Sequence, residues 1–328
     1  MDHRPKLLAA GAALVGLAVL VALGPRARVR GTVQPVEPEW DVEAWLARGE
    51  GRVAGLRPGD GKAVVWADPE APSHTPLAVV YLHGFSADRH EISPVPERVA
   101  AALGANLFLT RLTGHGRDGA ALAEATALDW LQDTEEALAV GTRLGTRVVL
   151  VGASTGATLA LWAAAQERWR ERLAALVLVS PNLGPRDDSA EMLLWPWGGV
   201  LARLAVGSER CFPPLNEGQA RHWTTCYPTR ALLPMMALVD HVRGLDPGGI
   251  RAPLLVLYAP HDQVVDARRT EALFPLLGSR RKELLVVEGS DDPAHHVLAG
   301  DIVSPGTTDA VVTLVVDFLK SLESEEAR

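Results

Sequence analysis

A serine flanked by small residues lies between a predicted strand and a predicted helix near the middle of the chain. The pentapeptide GASTG, residues 152–156, follows the apolar stretch 147–151 and precedes the Ala/Leu-rich stretch 157–165. A tight strand-to-helix turn holds a serine hydroxyl above the edge of a sheet, and a glycine on each side gives the backbone the room that this turn requires. The pattern therefore predicts Ser154 to be a nucleophile rather than an ordinary turn residue.

Predicted strands alternate with predicted helices over most of the chain. Short apolar runs typical of strands occur at residues 62–66, 77–82, 106–109, 147–151, 176–179, 253–258 and 283–287. Helical patterns occur at residues 95–103, 127–144, 156–168, 268–277 and 308–322. This alternation predicts an α/β fold with a mostly parallel, doubly wound sheet that helices cover on both faces.

The segment 184–249 interrupts the alternation. It has no clear buried strand and is rich in aromatic and methionine side chains. An insertion at this point would lie over the carboxyl ends of the strands, where open α/β sheets bind ligands. We predict a helical cap whose aromatic residues mostly pack it onto the sheet. Four of its side chains are candidate substrate-binding residues, because apolar groups suit a pocket roof: Met192, Trp195, Trp197 and Trp223.

A serine nucleophile needs a base to remove its proton, and the base needs an acid to orient it. In a doubly wound sheet these groups follow later strands, in the order Ser, acid, His. Asp262 follows the penultimate predicted strand, and it is favoured over Asp266, which has the position of a helix N-cap. His295 and His296 both follow the last predicted strand, and the residues alone do not choose between them.

The oxyanion of a tetrahedral intermediate needs backbone N–H donors that are fixed before the reaction. Thr155, the residue after the nucleophile, is predicted to supply one. Phe85 is predicted to supply the other, because it follows an early strand and the flexible Gly84. We interpret His83 and His115 as residues that form hydrogen bonds within loops rather than as catalytic bases.

The chain resembles the α/β-hydrolase superfamily, in particular serine esterases of the monoacylglycerol-lipase and lysophospholipase-like branch. The matching segments occur in the family's order, at residues 82–86, 114–116, 152–156, 260–265 and 296–298. The resemblance implies the α/β-hydrolase fold with a helical cap and a triad of Ser154, Asp262 and His296, without metal or cofactor. In the resembling enzymes the histidine precedes a short aliphatic pair, which selects His296 over its neighbour.

The predicted domain organisation has five parts. These are an N-terminal anchor or signal segment at 1–30, a linker and edge-strand region at 31–75, the first part of the core at 76–183, the cap at 184–249 and the second part of the core at 250–328. The net charge of −8 and the lack of a basic block exclude nucleic acid as a partner. A small-molecule ester is the expected partner.

The expected activity is hydrolysis of carboxylic esters, with lipid-derived or medium-chain acyl groups, through an acyl-enzyme. One alternative is a proline-type aminopeptidase or amidase, which would need cap carboxylates such as Glu191, Glu209 or Glu217 to bind an amine. A second alternative is a binding protein of the same fold without catalytic activity.

Residues 7–23 carry no charge and follow two basic residues. This length is at the lower limit for a membrane span, and it favours an uncleaved anchor over a removed signal peptide. Cys211 and Cys226 are the only cysteines, and they could form a disulfide or remain free thiols. A disulfide would place the domain outside the cytoplasm, and we expect an extracytoplasmic (periplasmic) location. Zinc binding by both cysteines with His222 is disfavoured by their spacing.

Overall fold

The computed structural model describes residues 22–326 of the 328-residue chain. The predicted anchor at residues 7–23 lies outside the described residues, apart from residues 22 and 23. Between residues 22 and 326, no helix has both the length and the apolar character needed to cross a membrane.

A seven-stranded sheet forms the centre of the molecule. The strands of the described chain are β1 (Ala63–Val65), β2 (Thr75–Leu82), β3 (Asn106–Leu109), β4 (Gly145–Ala153), β5 (Leu173–Val179), β6 (Glu209–Cys211), β7 (Cys226–Pro228), β8 (Leu254–Tyr258) and β9 (Lys282–Val286). The order across the sheet is β1-β3-β2-β4-β5-β8-β9, and β6 pairs with β7 in a separate ribbon. Within the seven strands, β1 is antiparallel to β3 and the other pairs are parallel. The predicted α/β fold is confirmed.

Helices pack on both faces of this sheet. They are α1 (Val42–Glu50), α2 (Val95–Leu103), α3 (Gly119–Leu122), α4 (Ala127–Leu144), α5 (Thr155–Ala165), α6 (Gly198–Val206), α7 (Glu217–His222), α8 (Leu232–Arg243), α9 (Ala267–Leu273) and α10 (Pro305–Glu326). Successive side chains of a strand point to opposite faces. Accordingly, Val80 of β2 belongs to a core with α4, α5 and α8, whereas Val79 belongs to a second core with α2 and α10.

The start of α4 illustrates how local sequence sets these boundaries. The Thr126 hydroxyl accepts a hydrogen bond from the Asp129 N–H, and the Asp129 carboxylate accepts one from the Thr126 N–H. This capping box pairs backbone groups that would otherwise lack partners. The helix therefore begins at Ala127, as predicted.

The insertion between β5 and β8 contains short elements only. Besides α6, α7, α8 and the β6–β7 ribbon, it includes a 3-10 helix at Asp188–Leu194. Cys211 and Cys226 lie opposite each other in the ribbon and form a disulfide, so the structure has one of the two states that the sequence left open. Met235 and Met236 of α8 are buried in the core, where they pack the insertion onto the sheet.

Candidate active site

Ser154 lies in the turn between β4 and α5 with a strained backbone. Its φ of 51° and ψ of −115° place it in a region that residues with a side chain rarely adopt. Its N–H donates to the carbonyl of Val179 on the neighbouring β5, at 2.8 Å, which ties the turn to the sheet. Strain that the surrounding structure maintains in this way is typical of a nucleophile elbow.

The two glycines of the pentapeptide are required by close backbone contacts. A Cβ atom at Gly152 would lie 2.4 Å from the carbonyl oxygen of Gly156. A Cβ atom at Gly156 would lie 1.9 Å from the carbonyl oxygen of Leu82. The glycines therefore allow β2, the turn and α5 to approach one another closely.

We expect Gly156→Ala to lower the free energy of unfolding by about 3 kcal/mol, because α5 must move away from the backbone of β2 to accommodate the methyl group. Urea denaturation measures this change. Gly49→Ala is the matched control, since no atom lies within 4 Å of its added Cβ and helical alanine is favoured over glycine. Equal stability of both variants would contradict the steric argument.

Three side chains from separate loops form a chain of hydrogen bonds. Nε2 of His296 lies 2.9 Å from Oγ of Ser154, and Nδ1 of His296 lies 2.7 Å from Oδ2 of Asp262. Asp262 is 1% exposed and Ser154 is 7% exposed. The arrangement matches the geometry of a nucleophile, a base and an orienting acid.

The loop after β8 fixes the carboxylate of Asp262. Its second oxygen, Oδ1, accepts hydrogen bonds from the N–H groups of Val264 and Val265, at 2.7 and 2.9 Å. Asp266, the rival candidate, is the N-cap of α9 and accepts from the N–H of Arg268. Asp262 is thus the carboxylate that lies against the imidazole.

The loop after β9 is organised by Asp292, which the sequence analysis missed. Oδ2 of Asp292 accepts from the N–H groups of His296 and Val297, and Oδ1 accepts from that of Ala294. The Asp-Pro pair after a strand is a turn pattern that could have indicated this role. His295 is exposed and has a left-handed backbone conformation, with a φ of 54°. His296 is the histidine whose Nε2 lies next to Oγ of Ser154.

The segment 83–91 after β2, which we call the oxyanion loop, is held on both sides of Phe85. The Gly84 N–H donates to Oε2 of Glu91 at 2.6 Å, and the Ser86 N–H donates to Nε2 of His115 at 3.1 Å. The Phe85 N–H between them has no acceptor among residues 22–326. Thr155 is the first residue of α5, so its N–H has no intrahelical partner.

Two buried histidines support this loop in their neutral form. Burial lowers the pKa of His83 to about 4 and that of His115 well below its ordinary value. Nε2 of His83 accepts from the Leu112 N–H, while its Nδ1 contacts the carbonyl of Gly84. Both side chains hold loops together, as the sequence analysis interpreted them.

Glu91 is a second residue that the sequence analysis missed. It is 4% exposed, lines the cavity beside Ser154, and accepts hydrogen bonds from the Gly84 N–H and the Tyr81 hydroxyl. Burial raises its pKa, although these donors act in the opposite direction. The contact spans seven residues of an irregular loop, and no helix, strand or turn pattern predicts it.

Ser154 and His296 lie in the wall of a cavity of about 570 Å³. Most of the wall is apolar, and much of it comes from the insertion: Met192, Leu193, Val206, Phe212, Leu215, Trp223, Leu232 and Met235. Two of the four predicted substrate-binding residues, Met192 and Trp223, are thus in the wall.

The other two predicted substrate-binding residues, Trp195 and Trp197, do not line the cavity. They lie in the turn between the 3-10 helix and α6 and are 58% and 36% exposed. The prediction placed them in the pocket roof, but aromatic content alone does not tell which face of the cap a side chain occupies.

The carboxylates considered for amine binding do not reach the cavity either. Oε1 of Glu191 accepts hydrogen bonds from the guanidinium groups of Arg243, at 2.8 Å, and Arg269, at 3.1 Å. Glu209 and Glu217 are exposed and outside the cavity wall.

Comparisons with known proteins agree with this architecture. The model of a hydrolase family described as serine aminopeptidase, S33, matches residues 73–298. The chain is similar to the thermostable monoacylglycerol lipase of Bacillus sp. (strain H-257), with 28% identity over 242 residues, which is 73% of this chain and 90% of that relative.

Two solved structures share the fold. One, from work on the metagenome-derived lipolytic enzymes LipS and LipT, has a TM-score of 0.66 and 22% identity over 81% of this chain and 99% of that chain. The other, a soluble variant of monoglyceride lipase from Saccharomyces cerevisiae in complex with a substrate analog, has a TM-score of 0.58 and 14% identity over 90% and 99% of the two chains. The expected class, a hydrolase similar to lipases and esterases, is confirmed. The chain belongs to the serine aminopeptidase S33 family of α/β hydrolases.

Proposed function

We propose that the protein is a serine esterase that cleaves carboxylic esters with medium-chain or lipid-derived acyl groups. The hydrogen-bonded chain from Ser154 through His296 to Asp262, in the wall of an apolar cavity, is the observation that carries this proposal. The similarity to a monoacylglycerol lipase supports the choice of an ester.

In the proposed mechanism, Oγ of Ser154 attacks the ester carbonyl while Nε2 of His296 takes its proton. The N–H groups of Phe85 and Thr155 stabilise the oxyanion, and Asp262 stabilises the imidazolium. Collapse of the intermediate breaks the ester bond, and His296 returns the proton to the departing alcohol. Water, deprotonated by His296, then attacks the acyl-enzyme. Collapse of this second intermediate breaks the bond to Oγ of Ser154, which takes the proton back from His296, and the acid is released.

An acyl-chain series tests the substrate class. We expect kcat/KM for p-nitrophenyl esters to rise about twofold to fourfold for each methylene added between acetate and octanoate, because each buried methylene contributes about 0.8 kcal/mol. Met192→Ala should reduce this gain, since Met192 lines the cavity. Trp195→Ala is the matched control, because Trp195 is exposed outside it. A preference for acetate without any gain from chain length would contradict the proposal.

The activity should fall at acidic pH with a midpoint above the ordinary pKa of histidine. Burial lowers the pKa of His296, but the nearby Asp262 carboxylate, with Glu91 and Asp292, outweighs burial and raises it. The base acts in its neutral form, so kcat/KM rises with pH through this raised pKa and then levels off. A pH–rate profile on an uncharged ester measures the midpoint, and a midpoint clearly below about 6.5 would be inconsistent with it.

The amidase alternative has one observation in its favour. Asp187 of the insertion lines the cavity and could bind a substrate amine. Assaying aminoacyl p-nitroanilides beside the ester series separates the two activities. A higher kcat/KM on these amides than on octanoate would favour the alternative.

We also propose an extracytoplasmic location for the domain. The Cys211–Cys226 disulfide supports it, because such bonds persist in oxidising compartments. The test is alkylation of the protein in intact cells without prior reduction. Reaction of both Cys211 and Cys226 would contradict the proposed location.

A further inference from the structure

Four side chains that the proposed mechanism does not use converge at the oxyanion loop, which contains two of them. They are Asp60, Asp88, His90 and His222, and one donor atom from each lies within 4.8 Å of all the others. The two carboxylates are 1% and 0% exposed, and the two imidazoles are only partly exposed. Two aspartates and two histidines form a typical donor set for a transition-metal cation.

The hydrogen bonds within this cluster leave one buried oxygen unpaired. Nδ1 of His90 contacts Oδ1 of Asp88 at 2.9 Å, and Nδ1 of His222 contacts Oδ2 of Asp88 at 3.0 Å. Arg57 donates to Oδ2 of Asp60 at 2.6 Å. Oδ1 of Asp60 has no hydrogen-bond partner within the described chain, and it lies 3.3 Å from Nδ1 of His222. An unpaired carboxylate oxygen without access to water is costly, and a cation would remove this cost.

Four distances between donor atoms of the cluster are close to those around a tetrahedral ion. Bonds of about 2.0–2.1 Å place two ligand atoms of a tetrahedral zinc ion about 3.3 Å apart. Nδ1 of His222 is 3.3 Å from Oδ1 of Asp60 and 3.0 Å from Oδ2 of Asp88. Nδ1 of His90 is 3.9 Å from Oδ1 of Asp60 and 2.9 Å from the other oxygen of Asp88, Oδ1. Arg57 and the backbone N–H of His90 hold the carboxylates from outside, as outer partners do in metal sites.

We propose that Asp60, Asp88, His90 and His222 bind a structural Zn²⁺ ion. Four protein ligands close the coordination sphere, which is typical of a structural rather than a catalytic site. The sequence analysis weighed His222 only with the two cysteines, because the aspartates and His90 come from distant parts of the chain.

The site joins three segments: the turn before β1, the oxyanion loop and the end of α7 in the insertion. The residue after His222 is Trp223, which lines the cavity, and the Thr224 N–H donates to the carbonyl of Ser86 at 2.7 Å. The ion therefore holds this part of the insertion against the oxyanion loop.

Metal titration of the full chain tests the site. After treatment with EDTA and removal of the chelator, the protein should bind about one equivalent of Zn²⁺ by elemental analysis, and its Tm should rise by about 5 °C at saturation. His222→Ala and Asp60→Asn should weaken binding by more than about tenfold. His74→Ala, at an exposed position, should bind like the wild type.

Two results would overturn the proposal. One is that the wild-type protein, after EDTA treatment and removal of the chelator, binds no Zn²⁺ and keeps its Tm when Zn²⁺ is added. This measurement does not depend on whether any variant folds. The other is tighter binding of Ca²⁺ than of Zn²⁺, because Ca²⁺ selects oxygen ligands rather than imidazole.

Discussion

Ser154→Ala should lower kcat for ester hydrolysis by about 10⁵-fold or more, since loss of a serine nucleophile removes the covalent route entirely. The same variant should no longer react with a fluorophosphonate probe. Its urea unfolding curve should stay close to that of the wild type, because the hydroxyl's polar contact is with His296 alone among the described side chains.

Ser73→Ala is the matched control, because Ser73 is exposed and its side chain forms none of the described contacts. It should keep full activity and full labelling. Labelling or hydrolysis that survives in Ser154→Ala would assign the chemistry to another residue. Absence of labelling in folded wild type would instead favour the binding-protein alternative.

Asp262→Asn should lower kcat by about 10⁴-fold without loss of the fold. The amide oxygen can still accept from the N–H groups of Val264 and Val265, so the loop keeps its shape. The amide NH₂ group then faces Nδ1 of His296, which must become an acceptor. Nε2 consequently carries the proton and cannot take another one from Ser154.

The pH profile gives this prediction a second readout. The Asp262 carboxylate raises the pKa of His296, so its removal should move the acid limb of the residual activity to lower pH. Asp266→Asn is the control, because Asp266 caps α9 and has no contact with the imidazole. Its kcat should remain within about threefold of wild type, and an equal loss in both variants would contradict the specific role of Asp262.

The sheet and the three loops that meet at Ser154 could be predicted because their determinants are local. Each strand is a short apolar run, and α4 begins where Thr126 and Asp129 form a capping box. Parallel strands end at the same edge, so the loops that follow β4, β8 and β9 all lie at one edge of the sheet.

Other features depend on side-chain contacts that the periodicity of strands and helices does not contain. The Glu91 carboxylate can lie against residue 84 because that residue is glycine, since a Cβ atom there would lie 2.5 Å from Oε1 of Glu91. Trp195 and Trp223 have the same chemistry, but one is exposed and the other lines the cavity. The cluster of aspartates and histidines is assembled only when the insertion folds onto the oxyanion loop.

The insertion leaves the sheet at the carboxyl end of β5, and the chain re-enters at the amino end of the neighbouring parallel strand β8. The segment is therefore one crossover connection, in which residues 184–231 precede the core helix α8. The entropic free energy of closing a flexible loop rises by only about 0.6 kcal/mol when the length of the loop doubles. Changes of length or sequence in residues 184–231 can alter which molecules the enzyme accepts, while α8 and the strands that precede Ser154, Asp262 and His296 keep their packing and register.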